Sequence, residues 1–227
     1  PVLTELYAKN KNDDFKIIYK TITKWIFVIN LILLSIFYLF SKPIITILFG
    51  IDYIAGATSL VILATGYFIG YLPGASQSVL LVFKKTKLIL FNTIIMIIGN
   101  IILNIYLIPI YGITGAAIAT AFIFIIRAIL LIIESFLITK IIPFKINYFK
   151  IIFSIAITSF LIKYISRYYQ LNILTLFLTI SLLILIYGSL LLITKSFEKE
   201  DIMIIREIQQ KTGINFSKIN KFLTRFI

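Results

Sequence analysis

Residues 99–120 read GNIILNIYLIPIYGITGAAIAT. Asn100 and Asn104 sit four apart in an apolar run, which meets Pro109 and restarts through Gly112, Gly115 and a set of alanines. What such a run does with its amides depends on its solvent. Sixty per cent of the 227 residues are hydrophobic, against about 45–50% in a soluble domain, and mean hydropathy is strongly positive. The solvent for most of this chain is therefore lipid. Asn92, Asn100 and Asn104 fall on one face of a helix, and an unpartnered amide in hydrocarbon costs several kcal/mol, so this face points into a bundle or a polar cavity. Two readings stay open: interhelical hydrogen bonds worth about 1 kcal/mol each, or contacts to a substrate. Gly115, Ala116, Ala117 and Ala119 then let the next helix approach its neighbour closely.

Working outward, a bilayer core about 30 Å thick needs about 20 apolar helical residues. Six stretches qualify: 26–48, 53–83, 88–110, 113–139, 151–165 and 173–194. The expected fold is all-α, a polytopic membrane helix bundle, with 1–25 an amphipathic lead-in, 26–194 a six-helix lobe and 195–227 a basic tail. The fifth stretch is short and has Lys163 near its end, but charge parity keeps it as a span. With six crossings, 18 of the 22 Lys and Arg fall on one side, only Lys42, Lys163 and Arg167 on the other, and Arg127 between. This is the distribution of the positive-inside rule and places both ends in the cytoplasm, with the chain in the cell membrane. In the tail, NFSKINKFLTRFI (215–227) has an apolar face and a basic one, the pattern of an interfacial helix on an anionic leaflet.

The inventory excludes much chemistry. There is no cysteine and no histidine, so disulfides, thiolate or imidazole metal sites and His-based triads are ruled out. With nine carboxylates in all, the chain is not expected to be an enzyme or to need a cofactor. The net charge of +13 raises nucleic-acid binding, but the lysines lie between apolar runs and have no base-reading neighbours, so none is expected. The opening PVLTELYAKNKNDDF lacks the pattern of a signal peptide, and a start at Pro1 reads as a piece of a longer protein.

Two features carry functional weight. The second stretch contains TGYFIGYLPGASQS (65–78), where Pro73 and Gly74 predict a kink or break and thus a hinge. Either the bent helix lines a cavity, with freed carbonyls and Gln77 facing water or substrate, or the proline is tolerated and the glycines serve close packing. In IATAFIFIIRAILLIIESFLITK (118–140), Arg127 lies near mid-span, where its burial costs upward of about 2.5 kcal/mol and marks a cavity or an ion pair. Glu134, seven residues on, shares its face, but about 10 Å along the axis is long for direct contact. Arg127 is expected either to meet an anion or to pair with a carboxylate elsewhere, and Glu134 is the intramembrane acid available for pairing or ion coupling.

Several stretches together resemble one family: PVLTELYAK (1–9), ITILFGIDYIAGATSLVILATGYFI (45–69), LVFKKTK (81–87), NIILNIYLIPIYGITGAAIAT (100–120) and FEKEDIMIIREI (197–208). They look like the C-terminal half of polysaccharide flippases of the multidrug/oligosaccharidyl-lipid/polysaccharide exporter superfamily. The resemblance implies two lobes of twelve to fourteen helices in all, of which these would be the last six of fourteen, with the N-terminal lobe as a partner absent from this sequence. It further implies passage of a lipid-linked glycan through a cationic cavity by alternating access, with Arg127 on the diphosphate and Asn100, Asn104 and Gln77 on sugar hydroxyls. No phosphate-binding G-x-x-x-x-G-K-[ST] motif is present, so this segment would not hydrolyse ATP. Alternatives are a multidrug or cation antiporter, a lipid II flippase, a membrane-embedded glycosyltransferase or polymerase, and a structural anchor. The outer side offers a polymerase only Asp52, and an anchor has no need of Arg127.

Because the natural chain has no cysteine, topology can be tested with single cysteines and an impermeant thiol reagent in intact cells. A cysteine at Asn172 is expected to label, and cysteines at Lys85 and Lys218 are not. The reverse pattern would refute the assignment.

Overall fold

The computed structural model describes residues 2–144, 148–198 and 200–201. Among them the chain forms α1 (Val2–Ala8), α2 (Asn12–Phe49), α3 (Gly56–Gly70), α4 (Ser76–Val82), α5 (Thr86–Tyr111), α6 (Ile113–Thr139), α7 (Tyr148–Ile165) and α8 (Ile173–Ile193). Single 3-10 turns occupy Ile51–Tyr53 and Ser166–Tyr168, and no described residue is in a strand. Five helices, α2, α5, α6, α7 and α8, are long and apolar enough to cross a membrane. The molecule is an all-α, polytopic membrane helix bundle. Lys145 and the basic segment 215–227 lie outside the described residues.

Contacts between distant residues show which helix ends lie together. Lys24 on α2 bonds Asp201 beyond α8, Tyr19 bonds Ser76 and Ser135, and Tyr7 packs its ring 4.5 Å from Phe83. The start of α2, all of α4, the end of α6 and the segment after α8 thus share one end of the bundle. Ser59 and Thr114, bonded at 3.2 Å, belong to the other. The tandem of α3 and α4 runs between these two ends, alongside the five long apolar helices.

Four boundaries differ from the sequence expectation. The lead-in is not separate from the first span, because α2 begins at Asn12. Asp13 and Asp14 suit its N-terminus, and Phe15, Ile18 and Tyr19, spaced for one helical face, are buried with Leu3, Ala75, Val79 and Val82. The second crossing starts at Gly56 rather than 53 and is two helices, separated by a turn over residues 71–75. The third runs from Thr86 to Tyr111 rather than 88–110, with Pro109 inside it; so near a helix end, the donor it lacks costs only one bond. Gly112 alone makes the turn into α6, at φ 57 and ψ −136, a backbone geometry that a side chain would strain. Finally, α7 starts at Tyr148 rather than 151. In α2, the kink at Phe40 (φ −120, ψ 17) lies just before Pro43, whose ring crowds the preceding turn.

The helices stand with α2 between two pairs. On one side α7 and α8 form a hairpin, its turn fixed by the reciprocal capping of Asn172 and Thr175. The pair buries Ile151, Ile155, Ile162, Leu183 and Tyr187 against Phe27, Leu31 and Phe40 of α2. On the other side lie α3 and α6, with α5 outermost against α6. The α3–α6 contact is close because glycine permits it: a Cβ added at Gly66 would fall 2.4 Å from the Ala121 Cα, and one at Gly70 would fall 2.4 Å from the Phe124 ring. Gly115 likewise lies against the Leu107 carbonyl within the α5–α6 turn.

Gly66→Val is therefore expected to force α3 from α6 and to lower stability by about 1–3 kcal/mol, read as a lower thermal midpoint in detergent. Gly56→Ala meets nothing within 4 Å and should not lower the midpoint.

Candidate functional site

The site grows from the interruption of the second crossing. Pro73 has no N–H, and after Gly70 the chain turns: Leu72 donates to Ile69, and Gly74, at φ +57, donates to Tyr71. In a continuous helix the Gly74 amide would bond the Gly70 carbonyl. That carbonyl is instead taken by Arg127, whose Nη1 donates to it at 3.2 Å. Arg127 also donates from Nη2 to Gln77 Oε1 at 2.5 Å and lies over the Tyr71 ring at 5.4 Å. It stands 14 residues after Ile113 and 12 before Thr139, about 21 Å and 18 Å along the helix, hence at mid-span.

The far side of the break is held by hydroxyls. The Ala75 amide donates to Thr23 Oγ1 at 3.3 Å, and Ser76 Oγ donates to the Pro73 carbonyl at 2.8 Å. Ser76 also meets Tyr19 Oη at 2.6 Å and Ser135 Oγ at 3.2 Å. All three are fully buried, so one hydroxyl cluster ties α2, α4 and α6 together. The turn cannot slide relative to its neighbours without exposing donors and acceptors to an apolar medium.

Of the sequence candidates, the structure joins Gln77 and Arg127 directly and sets Pro73 and Gly74 beside them. Gln77, Asn92 and Arg127 line one small cavity of about 30 Å³, large enough for roughly one water. Glu134 does not pair with Arg127. Its two carboxylate oxygens each accept from Asn92 Nδ2 at 2.8 Å, because α5 presents that amide at its level while Arg127 lies two turns away. Asn100 and Asn104 are not in this cavity. Asn104 donates to the Asn100 carbonyl and side chain at 2.9 and 2.8 Å, and Asn100 reaches Thr120 at 3.4 Å. The asparagine face of α5 does turn toward α6, with its amides spent on hydrogen bonds within and between the two helices.

Other residues of consequence were not singled out by the sequence. Tyr67 near the end of α3 and Tyr71, the residue that caps it, hold near-parallel rings (11°) against Phe124. Their spacing matches that of Gly66 and Gly70, the one available signal. Lys24 is buried with Asp201 at 2.5 Å, and Trp25 Nε1 donates to the same carboxylate at 2.8 Å. In the sequence Lys24 is simply one more lysine of a basic segment. Among the described residues no group of three or more His, Cys, Asp and Glu is placed to hold a metal. No family model, curated protein or solved structure matches the chain.

The Lys24–Asp201 pair is testable by stability. Asp201→Ala removes the nearer of the two carboxylates at the buried ammonium, Glu198 remaining at 3.7 Å, and leaves Trp25 Nε1 without its acceptor; it should cost about 1–3 kcal/mol, seen in thermal unfolding. Replacing both, Lys24→Met with Asp201→Asn, should restore most of that loss, because the amide oxygen still accepts from Trp25.

Proposed function

We propose that this chain forms one lobe of a membrane exporter that moves a lipid-linked oligosaccharide across the cytoplasmic membrane by alternating access, with an N-terminal lobe completing the cavity. The observation that carries the reading is Arg127. It sits at mid-span, half-buried, at the end of a broken helix, and its bonded partners are two neutral oxygens, the Gly70 carbonyl and the Gln77 amide. No carboxylate among the described residues lies within ion-pair distance of it. A guanidinium has five N–H donors; two are engaged, and three remain for a ligand. An uncompensated, pre-oriented positive charge in a low-dielectric bundle favours an anion, and the planar fork suits phosphate oxygens.

In this reading Gln77 holds the guanidinium in place, and Arg127 receives the diphosphate as it crosses. Asn100 and Asn104 of α5, at the level of Thr120 on α6 and so about 10 Å along the axis from Arg127, supply amides for sugar hydroxyls once their mutual bonds open. The broken crossing gives a place for bending at Pro73 and Gly74, since no backbone bond joins the Gly74 amide to the Gly70 carbonyl across the turn. Glu134, bonded to a neutral amide, offers a carboxylate for a coupling ion. The same geometry disfavours an antiporter of organic cations, which would meet the Arg127 charge.

Arg127→Gln tests the reading in the full-length protein, because it retains a donor for the Gly70 carbonyl while removing the charge. Glycan export should be lost at unchanged abundance in the membrane. Arg127→Lys should keep part of the activity, and Arg127→Ala should lose export with stability lowered by about 1–3 kcal/mol for the unpaired carbonyl. Normal export by well-expressed Arg127→Gln protein would refute the assignment.

A further inference from the structure

We infer that Tyr67 and Tyr71 form a stacking platform for a sugar ring of an anionic glycolipid, beside the Arg127 guanidinium. The inference rests on the exporter reading and adds to it the sugar-contacting surface. The two side chains are 44% and 42% exposed, and their ring centroids are 6.3 Å apart at an interplanar angle of 11°. Phe124 buttresses them from α6, 4.4 Å from the Tyr67 ring. Side chains so supported present a fixed aromatic surface rather than a mobile one.

That surface does not suit hydrocarbon. Neither phenol hydroxyl has an acceptor among the described residues, and an unpaired hydroxyl in lipid tails is costly. The register of α3 on α6, Gly66 against Ala121 and Gly70 against Phe124, sets both tyrosines near the depth of Arg127, in the middle of the span. Two partly exposed tyrosines with unpaired hydroxyls and a half-exposed guanidinium at that depth point to a wet face.

The ligand class follows from the combination. A flat aromatic face with a negative quadrupole attracts the polarised C–H face of a pyranose, whose hydroxyls then point sideways to water or to the phenols. It also attracts organic cations, but the guanidinium 5.4 Å from the Tyr71 centroid repels them and draws the phosphate next to the sugar. Tyr67 and Tyr71 also close one end of an apolar groove of about 320 Å³ between α2 and α3, walled by Leu33, Phe37, Leu60 and Leu63. Charge at one end and hydrocarbon-lined walls beyond it match an amphiphile with its phosphate at Arg127 and the start of its chain in the groove.

The test compares equilibrium binding of two radiolabelled probes to the full-length protein in detergent micelles: a polyprenyl diphosphate, and the same lipid carrying a disaccharide. Tyr67→Leu keeps side-chain bulk without the π face. It is expected to weaken the glycosylated probe about five- to tenfold and to leave the bare diphosphate within about twofold. Tyr67→Phe should bind both as the natural protein does, and Arg127→Gln should weaken both. Equal loss of both probes in Tyr67→Leu, or loss of neither, would overturn the platform and leave the exporter reading standing. If the natural protein binds neither probe, the exporter reading fails and the platform with it.

Discussion

A peptide group released from a helix inside an apolar bundle must find another partner, and the organisation around the second crossing follows from that requirement. Pro73 and Gly74 break the hydrogen-bond ladder in the middle of the bundle, where water does not freely replace it. Each freed group is met by a different neighbour: the Gly70 carbonyl by Arg127 on α6, the Ala75 amide by Thr23 on α2, and the Pro73 carbonyl by Ser76 on α4. A break in one helix thereby specifies residues on two others. Left unmet, any of these groups would cost about 1–3 kcal/mol, comparable to a large part of a domain's net stability.

The same constraint explains why an arginine is tolerated at mid-span. A guanidinium in hydrocarbon is costly, yet here two of its donors meet carbonyl-type oxygens and its face lies over Tyr71 and Phe124. These contacts solvate the group without neutralising it. The structural role and the proposed ligand role are therefore compatible: sealing the break fixes the guanidinium's position, and the remaining charge and donors stay available to an anion. Glu134 is managed differently, with a single amide bridging both of its oxygens.

What was legible in the sequence was what depends on local pattern. Hydropathy runs gave the five long apolar helices, and Pro73 with Gly74 marked the interruption between α3 and α4. The asparagine spacing placed Asn92, Asn100 and Asn104 on the face toward α6. What failed depended on register between segments far apart. Asn92 as the partner of Glu134 requires knowing how α5 lies along α6, and Lys24 meets a carboxylate 177 residues away. The continuation of α2 through the lead-in was obscured by its charged residues, although Phe15, Ile18 and Tyr19 carry the helical spacing. Beyond the spacing they share with Gly66 and Gly70, nothing local in the sequence marks Tyr67 and Tyr71; the packing of Phe124 and Arg127 around them sets them apart.

The contact on which the account depends can be measured without a transport assay. Solid-state NMR dipolar recoupling between glycine carbonyl ¹³C and arginine guanidino ¹⁵N, taken as the difference between natural and Arg127→Lys protein, reports the Gly70–Arg127 pair in a membrane-reconstituted chain. The Arg127 Nη1 to Gly70 oxygen distance of 3.2 Å implies a carbon-to-nitrogen separation of about 4 Å. Strong dephasing at that distance is expected, abolished in Arg127→Lys protein, which contains no guanidinium at this position. No dephasing in the natural chain would mean that Arg127 does not seal the broken helix, and would contradict the account.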